Sequence, residues 1–540
     1  MIGTRISSIH RLVGYAWRVI HATCFLLLLG VILLPVSTHA ATIYVKAAAA
    51  GLDDGSSWTD AYTDLQDALA AASSSDKIRV AAGVYIPGVT ETDTFQLKNG
   101  VDILGGYEGA PGTAGPFTPR DSARFITVLS GDIDSNDTTD ANGIVASPLD
   151  INGNNSFHVV NGSGTDSSAK LDGFIITAGQ ADGGGDFARG GGVYLGTISS
   201  NPTLDNLTII GNLATDFGGG MYSFGSTPDL FNVTFLNNSA TNGGGMHNNI
   251  SSPTLLNVMF SGNQATNGGG MYNLGGSPTL TNLTFSGNIA ASDGGGIFNI
   301  TGSDPTIDNT IFWGNMAFGN GSQIFNSDVG STPTIDSSLI QDGCPDGSTC
   351  ASPPLIGDPQ FLDADGPDGI AGTLDDDLRV ARGSPALEAG NNDLAALLFV
   401  TRDLAFNPRF ADADGDLTAT IDMGAFESPP SIIYVRASGG PSGDGTTWLA
   451  AFRDLQDALA WAIPDTQIWV AEGKYVPGPA ESDTFQLLNG VEIYGGFEGM
   501  LGTEGDFDVG DVDAFVTILS GDIAADDITG AKGVTRAWST

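Results

Sequence analysis

Lysine and arginine are scarce in this sequence. They number 20, against 62 aspartates and glutamates, so the 540-residue chain has a formal net charge of −42 at pH 7. Phosphate binding needs clustered cations, so the composition argues against nucleic acids and anionic membrane surfaces as partners. The acidic surface suits solubility outside the cell and attraction of divalent cations. A solvated acidic surface with no special partner is the simpler alternative.

Cysteine is also scarce, with three residues in the whole chain. Cys24 lies in the N-terminal segment described below, which leaves Cys344 and Cys350 on either side of a turn-rich stretch. Two cysteines at short range in an exported chain favour a local disulfide that staples a loop. A redox or metal role would need more ligands than this stretch supplies.

The first 40 residues have the pattern of a secretory signal peptide. Arg5, Arg11 and Arg18 form a basic start, residues 25–36 are apolar, and Thr38-His39-Ala40 offers a small-x-small cleavage site. An uncleaved anchor is the alternative, but the apolar run is short for a membrane span. We therefore expect a secreted or cell-surface protein, including one associated with the outer membrane.

One block recurs in the middle of the chain with a step of 25 or 26 residues. It starts at Phe235, Phe260 and Phe285, and each copy contains an asparagine three residues later and a triple glycine further on. A period of this length indicates a solenoid, in which each repeat contacts only its neighbours. A solenoid presents long surfaces, which favours a binding function.

The repeat unit predicts one coil of a right-handed parallel β-helix. A proline precedes each run of alternating, β-branched and aromatic residues, as expected where a strand begins. Coils stacked about 4.8 Å apart would align equivalent asparagines into hydrogen-bonded ladders. The first predicted ladder consists of Asn206, Asn232, Asn257, Asn282 and Asn309, and the second of Asn212, Asn238, Asn263, Asn288 and Asn315.

The Phe-x-x-Asn and Gly-Gly-Gly-Met or Gly-Gly-Gly-Ile elements of residues 170–340 resemble the repeats of polymorphic outer membrane proteins. This resemblance implies a surface-displayed β-helix that functions in adhesion. Membrane contact is expected only through an anchor that these residues do not show.

A larger duplication has an offset of 390 residues. Ile43-Tyr44-Val45 recurs as Ile433-Tyr434-Val435, and the elements at 64–69, 93–96, 105–109 and 129–133 recur in the same way. Each copy is predicted to form the start of a β-helix. A short helix, 65–72 in the first copy and 455–462 in the second, would cover the end of the solenoid as a lid. Short strands at 78–80 and 101–104 would begin the coils. The opening resembles the N-terminal part of bacterial pectate-lyase-like β-helix proteins. We interpret the second copy as truncated.

Residues 341–428 differ from the repeats. Their Gly383-Ser-Pro-Ala386 and Asp422-Met-Gly-Ala-Phe-Glu427 elements resemble the choice-of-anchor module that follows β-helices in secreted bacterial proteins. The predicted organisation is a signal peptide at 1–40, a cap and first coils at 41–156, and β-helix repeats at 157–340. The module at 341–428 and the duplicate opening at 432–540 follow.

Two acidic runs in the module have the spacing of carboxylates that could converge on Ca²⁺. They are Asp363, Asp365 and Asp368, and Asp412, Asp414 and Asp416. Neither run is an EF-hand, because a twelve-residue loop from either start lacks an acidic last ligand. Solvated acidic loops are the alternative to calcium sites.

We assign no catalytic residue from the sequence. Because pectin-degrading enzymes use this fold, a polysaccharide lyase or hydrolase is the alternative function. Asp186 with Arg189 is the best candidate pair, and a salt bridge within a turn is the favoured interpretation of these two residues. We expect Lys170, Asp172, Asp182, Asp216 and Asp293 to be scattered over the coils, and His158 and His247 to lie at the surface. The favoured function is non-enzymatic adhesion, or binding of extracellular glycans or cell-surface proteins.

Overall fold

The computed structural model describes residues 40–110, 120–394, 401–413, 418–439, 443–479, 481–500, 502–507 and 510–522. Apart from Ala40, the predicted signal peptide lies outside these residues. Among the helices described, none is both long and apolar enough to cross a membrane.

The runs that follow the prolines form the longest sheet, here called sheet 1. Its strands pair in parallel and in register from coil to coil, for example Phe235 with Phe260 and Phe260 with Phe285. In order across the sheet, the strands are Thr42–Val45, Lys77–Ala81, Asp102–Tyr107, Lys170–Asp172, Thr203–Ile210, Asp229–Leu236, Thr254–Ser261, Thr279–Ser286, Thr306–Asp308, Thr334–Asp336 and Thr349–Cys350. Beside them lie Gly83–Tyr85, Thr127–Ser130, Ile175–Thr177, Ile311–Trp313 and Leu339–Ile340.

Two further parallel sheets complete each coil. Sheet 2 contains Gln180–Ala181, Leu213–Ala214, Ser239–Asn242, Gln264–Asn267, Ile289–Ala290 and Met316–Ala317. Sheet 3 contains Phe95–Gln96, Val160–Asn161, Val193–Leu195, Met221–Phe224, Met246–Asn249, Met271–Leu274, Ile297–Ile300 and Ile324–Asn326. Successive strands of the chain therefore belong to different sheets, and each pairs with its counterpart one coil away. This arrangement confirms the all-β parallel β-helix.

Inward-facing side chains stack along a continuous core. Neighbouring rings among Phe235, Phe260, Phe285 and Phe312 lie 4.7 Å apart between centroids, and their planes are nearly parallel. All four are fully buried, together with Met221, Met246 and Met271 on sheet 3. Alternation along the strand thus places one apolar set inside every coil, so burial itself stabilises the register.

The triple glycines form the corner between sheets 2 and 3. Gly243 has a φ of 69°, in the left-handed region that favours glycine. A Cβ on Gly244 would lie 2.4 Å from the carbonyl oxygen of Gln264 on the next coil. Backbone of adjacent coils approaches so closely here that only glycine fits.

The N-terminal edge of the β-helix is covered. Helix α1, Leu65–Ala71, starts at an N-cap where Asp64 accepts a hydrogen bond from the backbone of Gln66. It buries Leu65, Ala68 and Leu69 against the core, as a lid helix should. Tyr44 of the first strand donates its N–H to the carbonyl of Gly55, so the segment before the helix occupies the free edge of the sheet.

The segment after the coils packs onto the outside of sheet 1. Its antiparallel strands Phe361–Asp363 and Asp377–Val380 bring Leu378 into an apolar cluster with Leu236 and Met259 of the solenoid. A disulfide joins Cys344 to Cys350 at the start of the segment. The centre of the segment contains the buried Arg409 and Glu427, whose charged atoms are 3.8 Å apart. Burial raises the pKa of Glu427 well above its ordinary value.

The second opening repeats the first. The parallel strands Ile432–Val435, Gln467–Ala471 and Glu492–Phe497 form one sheet, and Gly473–Tyr475 pairs with Thr517–Leu519. Helix α2, Leu455–Trp461, is one residue shorter than predicted, as is α1. Trp461 donates its indole N–H to the carbonyl of Glu427, which connects this opening to the preceding segment.

Candidate binding site on the outer face of sheet 1

The first predicted asparagine ladder lies on the outer side of sheet 1, where each long strand bends. Asn206, Asn232, Asn257, Asn282 and Asn309 all have φ between 50° and 58°, a left-handed conformation that asparagine tolerates better than most residues. From Asn232 onward, each amide nitrogen donates to the amide oxygen of the preceding asparagine over 3.1–3.2 Å. The row therefore uses one N–H of each side chain and leaves the second one available.

The module covers only part of this row. The second N–H of Asn257 donates to the carbonyl of Arg402 (2.7 Å), and that of Asn309 donates to the carbonyl of Asn391 (3.2 Å). Among the described residues, no protein group accepts from the corresponding N–H of Asn206 or Asn232. The first two coils of the asparagine row, which contain Asn206 and Asn232, thus present free amide donors.

Two adjoining cavities lie over these free donors. The larger, about 460 Å³, is bounded by the outer face of sheet 1, the loops of the first coils and the module. The smaller, about 360 Å³, is lined by Asp205, Phe231, Arg402 and Phe406 as well as Asn206 and Asn232. Both volumes are in the range of small-molecule and cofactor sites. Amide groups and aromatic side chains therefore line one concave surface.

A network of charges closes the N-terminal end of the row. Asn206 donates to Asp172 (2.8 Å), and Asp172 also pairs with Arg120 and, over 3.0 Å, with Lys170. Lys170 bridges to Asp205 of the next coil over 2.9 Å. The expectation that Lys170 and Asp172 are scattered is wrong, because Asp172 and Asp205 occupy paired positions on adjacent coils. The offset of 33 residues between them, longer than the regular repeat, concealed this pairing.

The environment separates the acidities of these groups. Burial raises the pKa of Asp205, with the charge of Asp172 adding to the effect. Burial also opposes ionisation of Asp172, but Arg120, Asn206 and Lys170 outweigh it and lower its pKa. For Lys170, burial alone would lower the pKa, yet the two carboxylates prevail and raise it. Lys170 consequently retains its proton at neutral pH and is poorly suited to act as a general base.

The second predicted ladder lies inside the coil. Asn212, Asn238, Asn263 and Asn288 are fully buried, and Asn315 nearly so. Each amide oxygen from Asn238 onward accepts from both the backbone and the side-chain nitrogen of the preceding asparagine, over 2.8–3.1 Å. This ladder provides hydrogen-bond partners for buried backbone groups at a turn. Because its side chains are buried, a ligand cannot reach them.

Sequence reasoning missed a third row, on sheet 3. Asn248, Asn273, Asn299 and Asn326 join side chain to side chain over 2.9–3.0 Å. The signal was present, because Asn248, Asn273 and Asn299 each lie two positions after the Met or Ile that follows the triple glycine. Asn326 lies two positions after Ile324, where Gly321-Ser322-Gln323 replaces the triple glycine.

Aromatic rings form another row on sheet 3, and it contains His158 and His247. His158, Tyr194, Tyr222, His247 and Tyr272 have successive ring centroids 4.3–5.8 Å apart. The expectation that the histidines are surface residues is wrong: His158 is 6% exposed and His247 is 1% exposed. The coils that contain Tyr194, Tyr222 and Tyr272 have a tyrosine at this position of sheet 3. In the coils of His158 and His247, a histidine ring takes the place of the tyrosine in the stack.

The candidate pair Asp186 and Arg189 lies beside this aromatic row. Their side chains form an ion pair of 3.1 Å within one turn, and the Arg189 guanidinium also lies over the rings of Phe217 and Tyr222, 5.5–5.6 Å from their centroids. Arg189 is thus held by a carboxylate and by ring faces, an arrangement that stabilises the turn and covers the row.

The acidic runs of the module lie in loops. Asp368 accepts a hydrogen bond from the backbone of Ile370 (2.8 Å), and Asp363 ends the first strand of the antiparallel pair. Asp365 accepts from Ile370 through its backbone carbonyl. In the part of the chain that the structure describes, no three His, Cys, Asp or Glu side chains are arranged to hold a metal ion. Asp412 is within the described residues, whereas Asp414 and Asp416 lie outside them.

Comparisons with known proteins assign no family to this chain. No protein-family model matches this sequence, and no curated protein matches it either. Among solved structures, the crystal structure of pectate lyase Pel9A is similar with a TM-score of 0.39 and 13% sequence identity, over 73% of this chain and 97% of that chain. A likeness at this level carries no argument about activity. The fold assignment depends instead on the parallel pairing of the coils.

Proposed function

We propose that this protein is an exported, non-enzymatic binding protein of the cell surface that holds a neutral polysaccharide on the outer face of sheet 1. The observation that carries the proposal is the pair of free amide donors at Asn206 and Asn232. On neighbouring coils, the same donors bind carbonyl oxygens of the module. A sugar hydroxyl or ring oxygen would meet the same donors in the open part of the row.

The remainder of the cavity suits a carbohydrate. Phe231 and Phe406 offer apolar surface to the C–H groups of a sugar ring, and Phe406 is 45% exposed. Aromatic side chains with polar groups beside them are the usual lining of a ligand site. The net charge of −42 repels anionic polymers, so a neutral polysaccharide is favoured over a polyuronate.

The aromatic row on sheet 3 supports the choice of sheet 1. Its rings stack face to face along the coils, with interplanar angles of 12° for His247–Tyr272 and 5° for Tyr272–Phe298. Stacked rings cover the faces of one another and leave mainly edges for a ligand. A sugar needs a ring face for apolar contact, and Phe406 in the cavity is free to supply one.

Surface display and adhesion follow from the predicted signal peptide and from the resemblance of residues 170–340 to polymorphic outer membrane protein repeats. The choice-of-anchor-like module at 341–428 would then both cap the coils and define one wall of the site. Calcium binding by the module stays part of the proposal and is tested by chelation below.

Binding can be measured by isothermal titration calorimetry or affinity electrophoresis with a panel of neutral and anionic polysaccharides. We expect saturable binding of at least one neutral polysaccharide and a tenfold or greater loss of affinity in Phe406→Ala. Phe318→Ala is the matched control, because Phe318 is 73% exposed and lies outside the cavity. The proposal fails if no polysaccharide binds, or if both variants bind as the parent protein does.

One observation favours a second candidate, a polysaccharide hydrolase. Asp172 and Asp205 both contact Lys170, and their environments shift their pKa values in opposite directions, as in an acid and base pair. Reducing-end assays on the same panel test this function. Release of sugars that is lost in Asp205→Asn would establish the hydrolase, whereas binding without release would eliminate it.

A further inference from the structure

The covered part of the outer asparagine row shows which chemical group its amides bind. Asn257 donates its second N–H to the carbonyl of Arg402 over 2.7 Å. Asn309 donates to the carbonyl of Asn391 over 3.2 Å and accepts from the N–H of the same residue over 2.7 Å. Both asparagines are fully buried under these contacts. In each place, the partner of the side-chain amide is a backbone amide group.

The open part of the row has the same local structure without a backbone segment bound to it. Asn206 and Asn232 have φ of 52° and 53°, like the covered asparagines, but both are partly exposed. Asp205 and Phe231 directly precede them and are Cα partners on adjacent coils. All four residues line the smaller cavity. A ligand in this cavity therefore meets side-chain amides that bind peptide groups elsewhere in the same row.

Asp205 supplies an acceptor beside these donors. Its Oδ2 accepts from Lys170 over 2.9 Å, which holds the carboxyl group in place. Its Oδ1 has no hydrogen-bond partner in the part of the chain that the structure describes. A secondary amide has one carbonyl oxygen and one N–H. The cavity thus offers donors for the first and an acceptor for the second.

Two phenylalanines give the cavity an apolar part. Phe231 and Phe406 both line it, and Phe406 is 45% exposed. The guanidinium of Arg402 donates to the carbonyl of Phe406 over 2.6 Å, which holds the loop that carries this ring. A small apolar group next to a carbonyl would contact these rings. Donors, an acceptor and apolar surface in one cavity match the carbonyl, N–H and methyl of an acetamido group.

Building on the proposed function, we propose that this cavity recognises the acetamido group of an N-acetylated amino sugar in a neutral polysaccharide. The acetamido carbonyl accepts from the open amides of Asn206 and Asn232, its N–H donates to Asp205, and its methyl group contacts the two phenylalanines. A hydroxyl group on the same sugar carbon makes fewer of these contacts, and polar groups of the protein then stay unpaired. Acetylation also removes the charge of the amine, so the sugar is neutral.

The test compares oligosaccharides that differ only in the acetamido group. Oligomers of N-acetylglucosamine and N-acetylgalactosamine are titrated into the full chain by calorimetry, each beside the glucose or galactose oligomer of the same length and linkage. We expect at least one acetylated oligomer to bind saturably, and its unacetylated counterpart to bind roughly tenfold more weakly or not at all.

An isosteric variant locates the preference. Asn232→Asp keeps the size of the side chain and removes both N–H donors, so it should abolish most of the preference for the acetylated oligomer. Asn237→Asp is the matched control, because Asn237 is also partly exposed, has a φ of 47° and lies outside both cavities. It should retain the preference. The ratio of two affinities within one variant does not change if part of the protein is unfolded.

Equal affinity for the acetylated and unacetylated oligomers, or a preference that survives in Asn232→Asp, would overturn the inference. Binding of another neutral polysaccharide but of neither acetylated oligomer would also overturn it, while leaving the proposed function in place. Absence of binding by every polysaccharide would overturn both. Peptides contain the same amide group, so saturable binding of a tetra-alanine peptide without binding of any oligosaccharide would assign the cavity to a protein segment instead.

Discussion

Replacement of His247 by phenylalanine should stabilise the protein, and more so in mild acid than at neutral pH. His247 is enclosed by the rings of Phe217, Tyr222 and Tyr272 at 4.7–5.5 Å between centroids. Its Nδ1 is buried without a hydrogen-bond partner among the described residues. Burial, with a smaller contribution from the charge of Arg189, lowers its pKa from 6.5 to about 3. A phenylalanine would continue the stack without a buried polar atom, which is worth roughly 1–3 kcal/mol.

The pH dependence follows from linkage. With a folded pKa below the unfolded one, the unfolded chain takes up a proton first, so the stability that the neutral histidine contributes is present above pH 6.5 and is lost as the pH falls toward 3. At pH 5 the loss is about 2 kcal/mol. The advantage of His247→Phe over the parent should therefore be about 2 kcal/mol greater at pH 5 than above pH 7, as measured by urea unfolding.

The comparison with the parent is essential, because other groups titrate in the same range. Burial raises the pKa of Asp308, Asp376 and Asp403 to about 6, which makes stability fall as the pH rises from about 4 to 6. These groups cancel in the difference between two variants. Tyr272→Phe, a neighbour in the same row that does not titrate between pH 5 and 7, should show no such pH-dependent difference. An advantage of His247→Phe that is the same at both pH values would refute the reasoning.

Three further predictions concern the ladder, the disulfide and calcium. Asn263→Ala should lower the free energy of unfolding by about 3 kcal/mol, because it removes the partners of the buried backbone N–H of Asn238 and carbonyl of Phe235. Asn232→Ala, at a partly exposed position of the outer row, should cost about 1 kcal/mol. Replacing Cys344 and Cys350 by serine should cost about 2 kcal/mol, as expected for a short closed loop, and should increase hydrogen exchange around residues 320–350 while the remaining coils keep their protection. If the module binds Ca²⁺, thermal unfolding will shift to lower temperature on addition of EDTA and recover with excess Ca²⁺, and an unchanged midpoint would remove calcium from the account.

The fold was predictable because the same residue types recur at equivalent positions of successive coils. From residue 235 to residue 321, each coil contributes a phenylalanine to the core, an asparagine to the turn and a glycine to the corner, so the period alone determines the register. The helix bounds were one residue too long at Ala72 and Ala462, where the backbone becomes extended. Such ends depend on local dihedral angles, which a pattern of apolar spacing does not specify.

The site was less predictable because it depends on contacts between distant segments. Asp172 and Asp205 are brought together by a coil of irregular length, and Arg120 reaches Asp172 from a loop of the first coils. The partial cover over the asparagine row depends on Arg402 and Asn391, which follow their partners Asn257 and Asn309 by 145 and 82 residues. Periodicity describes relations between neighbouring repeats, and these interactions lie outside it. The burial of His158 and His247 was not predicted for a related reason. A single histidine gives no indication of burial until it is aligned with the aromatic residues at the same position of the other coils.

Stacking of successive coils in one register is the central claim, and cysteine cross-linking tests it most directly. Thr306 and Thr334 are exposed Cα partners on adjacent parallel strands of sheet 1, about 4.8 Å apart, which is within reach of a disulfide. The account predicts that the double variant Thr306→Cys/Thr334→Cys forms this cross-link on oxidation, as seen by peptide mapping. Thr279→Cys/Thr334→Cys, two strands apart, should form none. Absence of the first cross-link, or equal formation of both, would contradict the stacked coils.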